Sequence, residues 1–230
     1  MKKIGLLGGM SWESSLEYYK ILNELVKSKL GGSHSVDCLL YSFDFHEVEV
    51  LQNKGKWKSL TKLMVDESIN LKNAGAEFIV ICTNTMHLMA PDIEKKTGLK
   101  VIHIADAAGN EVVKRNVKKV LLLGTKFTME GKFYKERLEK KGIEVLIPDE
   151  TDRQIIHDII YNELILGILN PQSKEIYKNI IERMTDRGAE GVILGCTEIP
   201  LLIKDKDVSI EVFDTTEIHS KAAIEYALKE

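Results

Sequence analysis

With 230 residues, the chain can bury a sizeable core, as one large domain or two modest ones. Hydrophobic residues make up 44% and charged residues 29%, an ordinary globular balance; a formal net charge of −3 with no basic stripe gives no reason to expect nucleic acid. No apolar run is long enough to cross a bilayer and no signal-peptide core follows Met1-Lys2-Lys3. The three cysteines, Cys38, Cys82 and Cys196, suit a reducing compartment, so a soluble cytoplasmic protein is expected.

In chain order, β-rich runs are predicted at 4–7, 36–41, 78–82, 101–104, 120–123, 143–147, 192–194 and 209–213. Segments of helical periodicity separate most of them. Over 15–30, Leu16, Tyr19, Leu22, Leu25 and Val26 fall on one predicted buried face. Strands alternating with helices imply right-handed βαβ units and parallel sheets.

An internal repeat supplies the domain boundary. Residues 73–83 match 186–196 without a gap at an offset of 113, pairing Gly75 with Gly188, Glu77 with Glu190 and Thr83 with Cys196. Lys3-Ile-Gly-Leu-Leu-Gly8 resembles Lys119-Val-Leu-Leu-Leu-Gly124 at an offset of 116. Two ordered matches at nearly one offset point to duplication, hence two α/β lobes, 1–105 and 106–214. In parallel α/β sheets, ligands sit beyond the carboxyl ends of the strands. Facing lobes would put the Thr83 and Cys196 loops on opposite walls of one cleft, a geometry suited to proton transfer on both faces of a carbon.

Three loops carry the candidate chemistry. Gly195-Cys196-Thr197-Glu198 follows a strand and opens a short helix at 199–203, where backbone N–H groups and a helix N-terminus are expected to lower a thiol pKa of roughly 8.5. Thr197 can donate to a carboxylate, and Glu198 can orient a base, hold an ammonium or cap the helix. A plain buried cysteine is the competing reading. In the first half, Thr83-Asn84-Thr85-Met86-His87 offers hydroxyl, amide and backbone donors. His87 is either an aid to a base or an ordinary helix-face residue, and Cys82, one position before Thr83, points to the opposite side of its strand. Gly8-Gly9-Met10-Ser11-Trp12-Glu13-Ser14 lets backbone approach a small anion at a helix start, but lacks any nucleotide-loop spacing. Gly124-Thr125 occupies the corresponding place in the second half.

Together, Gly8-Gly9-Met10-Ser11-Trp12, the Asn84-Thr85 loop and Gly195-Cys196-Thr197-Glu198 resemble the aspartate/glutamate racemase family over nearly the whole chain. The resemblance implies an α/β fold of two Rossmann-like parallel-sheet lobes related by a pseudo-twofold axis, a site between them, and neither pyridoxal phosphate nor metal. It also implies a C-terminal helix near 215–230 packing on the first lobe, and a homodimer. Carried over by motif, catalysis falls to Thr83 and Cys196. Substrate binding falls to Met10, Ser11, Trp12, Asn84, Thr85, Thr125, Thr197 and Glu198, with Gln52 in the 43–55 segment added. Two departures stand out. The family's first catalytic cysteine is Thr83 here, which makes the site asymmetric. The place of a lysine that meets the distal carboxylate of acidic substrates falls on Leu166, which opens the site to neutral amino acids. A single-cysteine isomerase or decarboxylase of the same superfamily, and a non-catalytic amino-acid-binding protein, are the alternatives.

Overall fold

The computed structural model describes residues 1–229, which divide into two compact units. The first comprises Met1–His103 and the chain from His219 on; the second is Ile104–Ile218. The first begins with β1 (Ile4–Gly8), α1 (Trp12–Leu30), β2 (Cys38–Ser42), α2 (Phe45–Asn53) and α3 (Trp57–Asn73), and continues with β3 (Phe78–Ile81), α4 (Ala90–Thr97) and β4 (Lys100–Val101). The second runs through α5 (Ile104–Lys114), β5 (Lys119–Gly124), α6 (Lys126–Glu130), α7 (Lys132–Glu139), β6 (Glu144–Leu146) and α8 (Glu150–Asn162). It ends with α9 (Pro171–Asp186), β7 (Gly191–Gly195), α10 (Ile199–Leu202), β8 (Glu211–Asp214) and the start of α11 (Thr215–Ala227).

Both units are four-stranded parallel sheets with the same strand order, β2-β1-β3-β4 and β6-β5-β7-β8. Their registers explain the sequence repeat. Leu7 pairs with Ile81 in one sheet and Leu123 with Leu194 in the other, so the residues two past each pair on the third strand of its sheet are Thr83 and Cys196. The Gly-Ala-Glu repeat is a structural clamp. Gly75 (φ 102°) and Gly188 (φ 94°) end the preceding helices in a backbone region that favours glycine. Ala76 and Ala189 are buried, and Glu77 and Glu190 accept backbone N–H bonds from Lys3 (2.6 Å) and Lys118 (2.7 Å) beside the neighbouring strand.

Each sheet is covered on both faces. In β3, Ile79 and Ile81 join one apolar cluster, with Leu7, Met64 and Ile93, while Phe78, Val80 and, just past the strand, Cys82 join another, with Tyr18, Leu22, Ala223 and Ile224. That second cluster seats the end of α11 in the first unit. Burial of large side chains such as Tyr18 and Leu22 stabilises by about 1.5–3 kcal/mol each.

Three expectations need correction. The 101–104 run is a two-residue strand, because only Lys100 and Val101 find ladder partners on β3 and Ile104 already begins α5. The 209–213 strand lies at Glu211–Asp214. The buried face of α1 is rotated: Leu16 and Tyr19 are about half exposed, whereas Ser14, Ser15, Tyr18, Leu22 and Val26 are buried. Small hydroxyl side chains let the first turns of α1 approach the end of β1, where a Cβ at Gly8 would lie 2.6 Å from Ser15 Oγ. Apolar periodicity did not register that close approach.

Candidate functional site

In the first unit, three strand-end segments meet through hydrogen bonds that α1 supplies. Ser15 Oγ accepts from Gly9 N–H (2.8 Å) and donates to the Ser11 carbonyl (3.1 Å), fixing the Gly9–Ser11 turn. Ser14 Oγ donates to the Cys82 carbonyl (3.1 Å), tying the helix to the residue before Thr83. The 42–44 segment closes on the same turn, with Phe43 N–H donating to the Gly8 carbonyl (3.0 Å). Gly9 has φ 82°, and a Cβ there would sit 2.3 Å from the Phe43 carbonyl oxygen, so only glycine fits. Sequence reasoning placed Ser14 only at the end of the Gly8–Ser14 loop, without a role, and passed over Ser15; their place in the first turn after Gly-Gly was the available signal.

The predicted binding residues of this unit divide by surroundings. Ser11, Asn84 and Thr85 are buried polar residues at the strand ends. The Met10 side chain lies in the apolar cluster with Leu7, Phe43 and Met86, which leaves its backbone as the part available to a ligand. Trp12 opens α1 and is 64% exposed. Gln52 is buried in the last turn of α2. Thr83 is half-buried, directly past β3, while Cys82 is buried in the opposite apolar cluster with its thiol pushed strongly upward by burial.

Beneath Thr83 lies a buried histidine trio. His87 Nδ1 is 2.8 Å from the Thr83 carbonyl oxygen, and its ring lies 4.8 Å from that of His103 and 5.3 Å from that of His219. Burial, then the neighbouring His103 and His219, hold His87 well below its ordinary pKa, and burial holds His219 down to about 4.

In the second unit, Cys196, Thr197 and Glu198 are all buried at the end of β7. Cys196 Sγ lies 2.9 Å from Glu198 Oε2 and Thr197 Oγ1 lies 3.0 Å from the same oxygen, so both side chains donate to one carboxylate. Of the roles open to Glu198, helix capping is not used: it holds the N-cap position of α10 without a side-chain cap bond and turns back to the thiol. The expectation of a lowered thiol pKa is corrected. Burial, and then the Glu198 carboxylate, push Cys196 well above its ordinary value; the Thr197 and Glu198 backbone N–H groups pull the other way, but less. The α10 helix has four residues, so its dipole is too short to reverse the balance. Thr197 spends its hydroxyl proton on Glu198 in this arrangement.

Thr125 caps α6, with Oγ1 accepting from Thr128 N–H (3.3 Å). Its neighbour Gly124 pairs with Gly195 so closely that a Cβ would lie 2.7 Å from the Gly195 carbonyl oxygen. Leu166 sits in a short 3-10 turn and is 63% exposed. The nearby Glu163 carboxylate accepts from Ser173 Oγ (2.6 Å). Among the described residues, no group of three or more His, Cys, Asp or Glu is placed to hold a metal ion, and no helix is long and apolar enough to cross a membrane.

A model of the Asp/Glu/Hydantoin racemase family matches residues 7–223. The chain is 22% identical over 230 residues to the broad specificity amino-acid racemase RacX of Bacillus subtilis, covering 96% of each protein. Among solved structures, it is 52% identical, with a TM-score of 0.92, to a Yersinia pestis protein described as an Asp/Glu racemase. It is 42% identical, with a TM-score of 0.85, to an aspartate racemase homologue from Pyrococcus horikoshii. Both alignments cover 100% of both chains.

Proposed function

Because the chain belongs to the Asp/Glu/hydantoin racemase family, and is therefore an isomerase, we propose that it racemises amino acids without a cofactor, with Cys196 as principal acid/base and Thr83 in the second-base position. The observation that carries this reading is the buried thiol–carboxylate pair, Cys196 Sγ to Glu198 Oε2 at 2.9 Å. A buried thiol with a raised pKa is a poor base alone; Glu198 beside it is an acceptor for the thiol proton. Proton transfer to Glu198 generates the thiolate, which removes the Cα proton. A proton returns to the opposite face from the Thr83 hydroxyl or from a water it holds, and exchange with solvent resets both groups. The backbone and polar donors of Ser11, Asn84 and Thr85 serve the substrate carboxylate, whose negative charge grows as Cα is deprotonated.

Thr83 is a far weaker base than a thiolate, so exchange on its face is the slow half of the reaction. Free enantiomers have equal energy, so the equilibrium stays at unity. For the substrate we propose a range that includes neutral amino acids. In support, Leu166 offers no cation to a distal carboxylate, and the similar Bacillus protein is described as broad in specificity. We also propose a cytoplasmic location, in keeping with three free cysteines, and a homodimer, supported by the exposed apolar stripe Trp12, Leu16 and Tyr19 along α1, to which a second copy is the proposed occupant. Light scattering of Leu16→Glu/Tyr19→Glu tests it: a dimer that survives both charges refutes that face.

Incubation in D2O with each enantiomer of aspartate, glutamate and several neutral amino acids tests the chemistry. Cα–H exchange or inversion that disappears in Cys196→Ala is the expected result, and none with any amino acid would sink the reading. That outcome would leave ligand binding or decarboxylation by the same fold. Thr83→Cys should speed two-way racemisation; no gain would remove Thr83 from the second-base position.

A further inference from the structure

We propose that His87 is a positioning residue for the proton-transfer loop: its ring N–H grips the Thr83 carbonyl, and a buried imidazole cluster holds that ring in place. The consequence for turnover rests on the racemase reading above; the geometry does not.

The ring nitrogens assign themselves from their partners. A backbone carbonyl only accepts, so His87 Nδ1, 2.8 Å from the Thr83 oxygen, carries the hydrogen. His219 Nε2 lies 2.6 Å from the Ile102 carbonyl oxygen and must likewise be the donor, which leaves Nδ1 to accept from the Tyr18 hydroxyl at 2.8 Å. His219 is therefore locked at both nitrogens, between α1 and the chain that continues β4, where Ile102 N–H donates to the Ile79 carbonyl (3.1 Å). His87 packs against His219 and His103, so the Thr83 carbonyl is connected through one ring to α1, β3 and α11 of the first unit. His103 and His219 are also the residues at which the chain leaves the first unit and re-enters it.

Three imidazoles buried together are a costly way to fill space, since apolar side chains would pack as well and His87 Nε2 is taken from water without a hydrogen-bond partner in exchange. The arrangement makes sense where position matters. Thr83 lies outside any strand or helix, and a weak base tolerates misplacement poorly, because about 1 Å of error can remove roughly 100-fold in rate. Neutrality fits the role: burial and its two neighbours keep His87 uncharged, so the Nδ1–H form persists.

Two measurements test the proposal. Long-range proton–nitrogen correlation of the imidazole rings in the wild-type protein at neutral pH should show His87 as the Nδ1–H tautomer and His219 as the Nε2–H tautomer. A His87 protonated at Nε2 overturns it, whatever the protein catalyses. The second uses His87→Leu, which fills the space without the donor, and His87→Asn, whose amide nitrogen reaches the place of Nδ1. In D2O, the enantiomer deprotonated from the Thr83 side should lose exchange about 100-fold in His87→Leu. Its KM should be little changed, exchange on the Cys196 side should stay within a few-fold, and His87→Asn should restore most of the loss. Equal losses on both faces, or none, overturn the positioning role. Wild-type protein that exchanges no amino acid sinks the racemase reading instead, and the tautomer result then still decides the inference.

Discussion

Lowering the pH from 7 to 5 should destabilise the first unit through its buried histidines. His219 has a pKa of about 4 in the fold against an ordinary 6.5, because burial disfavours the charged ring. Between those values the unfolded chain binds more protons than the folded one, so stability rises with pH across that window. The contribution is fully present above about pH 6.5 and is lost as pH falls toward about 4. At about 1.4 kcal/mol per unit, 2.5 units correspond to about 3 kcal/mol in total. By pH 5 about 2 kcal/mol of it should be gone, and His87, shifted the same way, adds to the loss. Urea unfolding followed by tryptophan fluorescence is the assay. Both tryptophans, Trp12 and Trp57, lie in the first unit, so the signal reports on the part that holds the trio. His219→Gln, which does not titrate and keeps an amide donor toward Ile102, should show a shallower pH slope. A wild-type midpoint that is flat from pH 7 to 5, or a variant slope as steep as the wild type, refutes the reasoning.

Other perturbations follow from the same geometry. Glu198→Gln removes the carboxylate that raises Cys196, so the alkylation midpoint of the thiol should move to lower pH, while racemisation falls about 100-fold for want of the proton acceptor. A midpoint that stays or rises would show that Glu198 does not govern the thiol. Gly9→Ala places a methyl 2.3 Å from the Phe43 carbonyl at a φ of 82°, and should cost about 2–5 kcal/mol in urea unfolding. A loss under about 1 kcal/mol would mean the turn relaxes freely.

Fold and site were legible to different depths. Parallel sheets could be read because strand runs alternate with helical periods and the Gly-Ala-Glu repeat fixes a register; Ala76 and Ala189 occupy the same buried notch in both halves. Short elements were not, since Lys100–Val101 carries too few residues for periodicity to define its ends. The face of α1 was misread because Ser14 and Ser15 are buried for hydrogen bonding and close approach, while Leu16 and Tyr19 stay outside. The thiol environment at Cys196 was misjudged for a related reason. Backbone dipoles can be inferred from a strand-to-helix junction, but how far water is excluded depends on residues distant in sequence, such as Tyr177 and Leu164, that share its cluster.

The duplication also decides whether Cys82 can stand in for the cysteine that Thr83 replaces. Pairing of Leu7 with Ile81 and of Leu123 with Leu194 makes Cys82 the counterpart of Gly195, not of Cys196. Gly195 has no room for a side chain, with Leu123 O 2.7 Å from a Cβ, whereas Cys82 fits the apolar cluster of Phe78 and Val80. Bringing its sulfur to the Thr83 side would require a one-residue slip, which would turn Ile79 and Ile81 out of one cluster and Phe78 and Val80 out of the other. Displacing four buried side chains at about 1.5–3 kcal/mol each costs about 6–12 kcal/mol in all, which is comparable with the whole stability of a domain at about 5–15 kcal/mol, so the slip is closed. Cys82→Ala should therefore keep the wild-type rate of Cα–H exchange and lose about 1–2 kcal/mol of stability from the small void. Loss of exchange in a Cys82→Ala protein that unfolds at nearly the wild-type urea concentration would reverse this assignment and give the first unit a cysteine base after all.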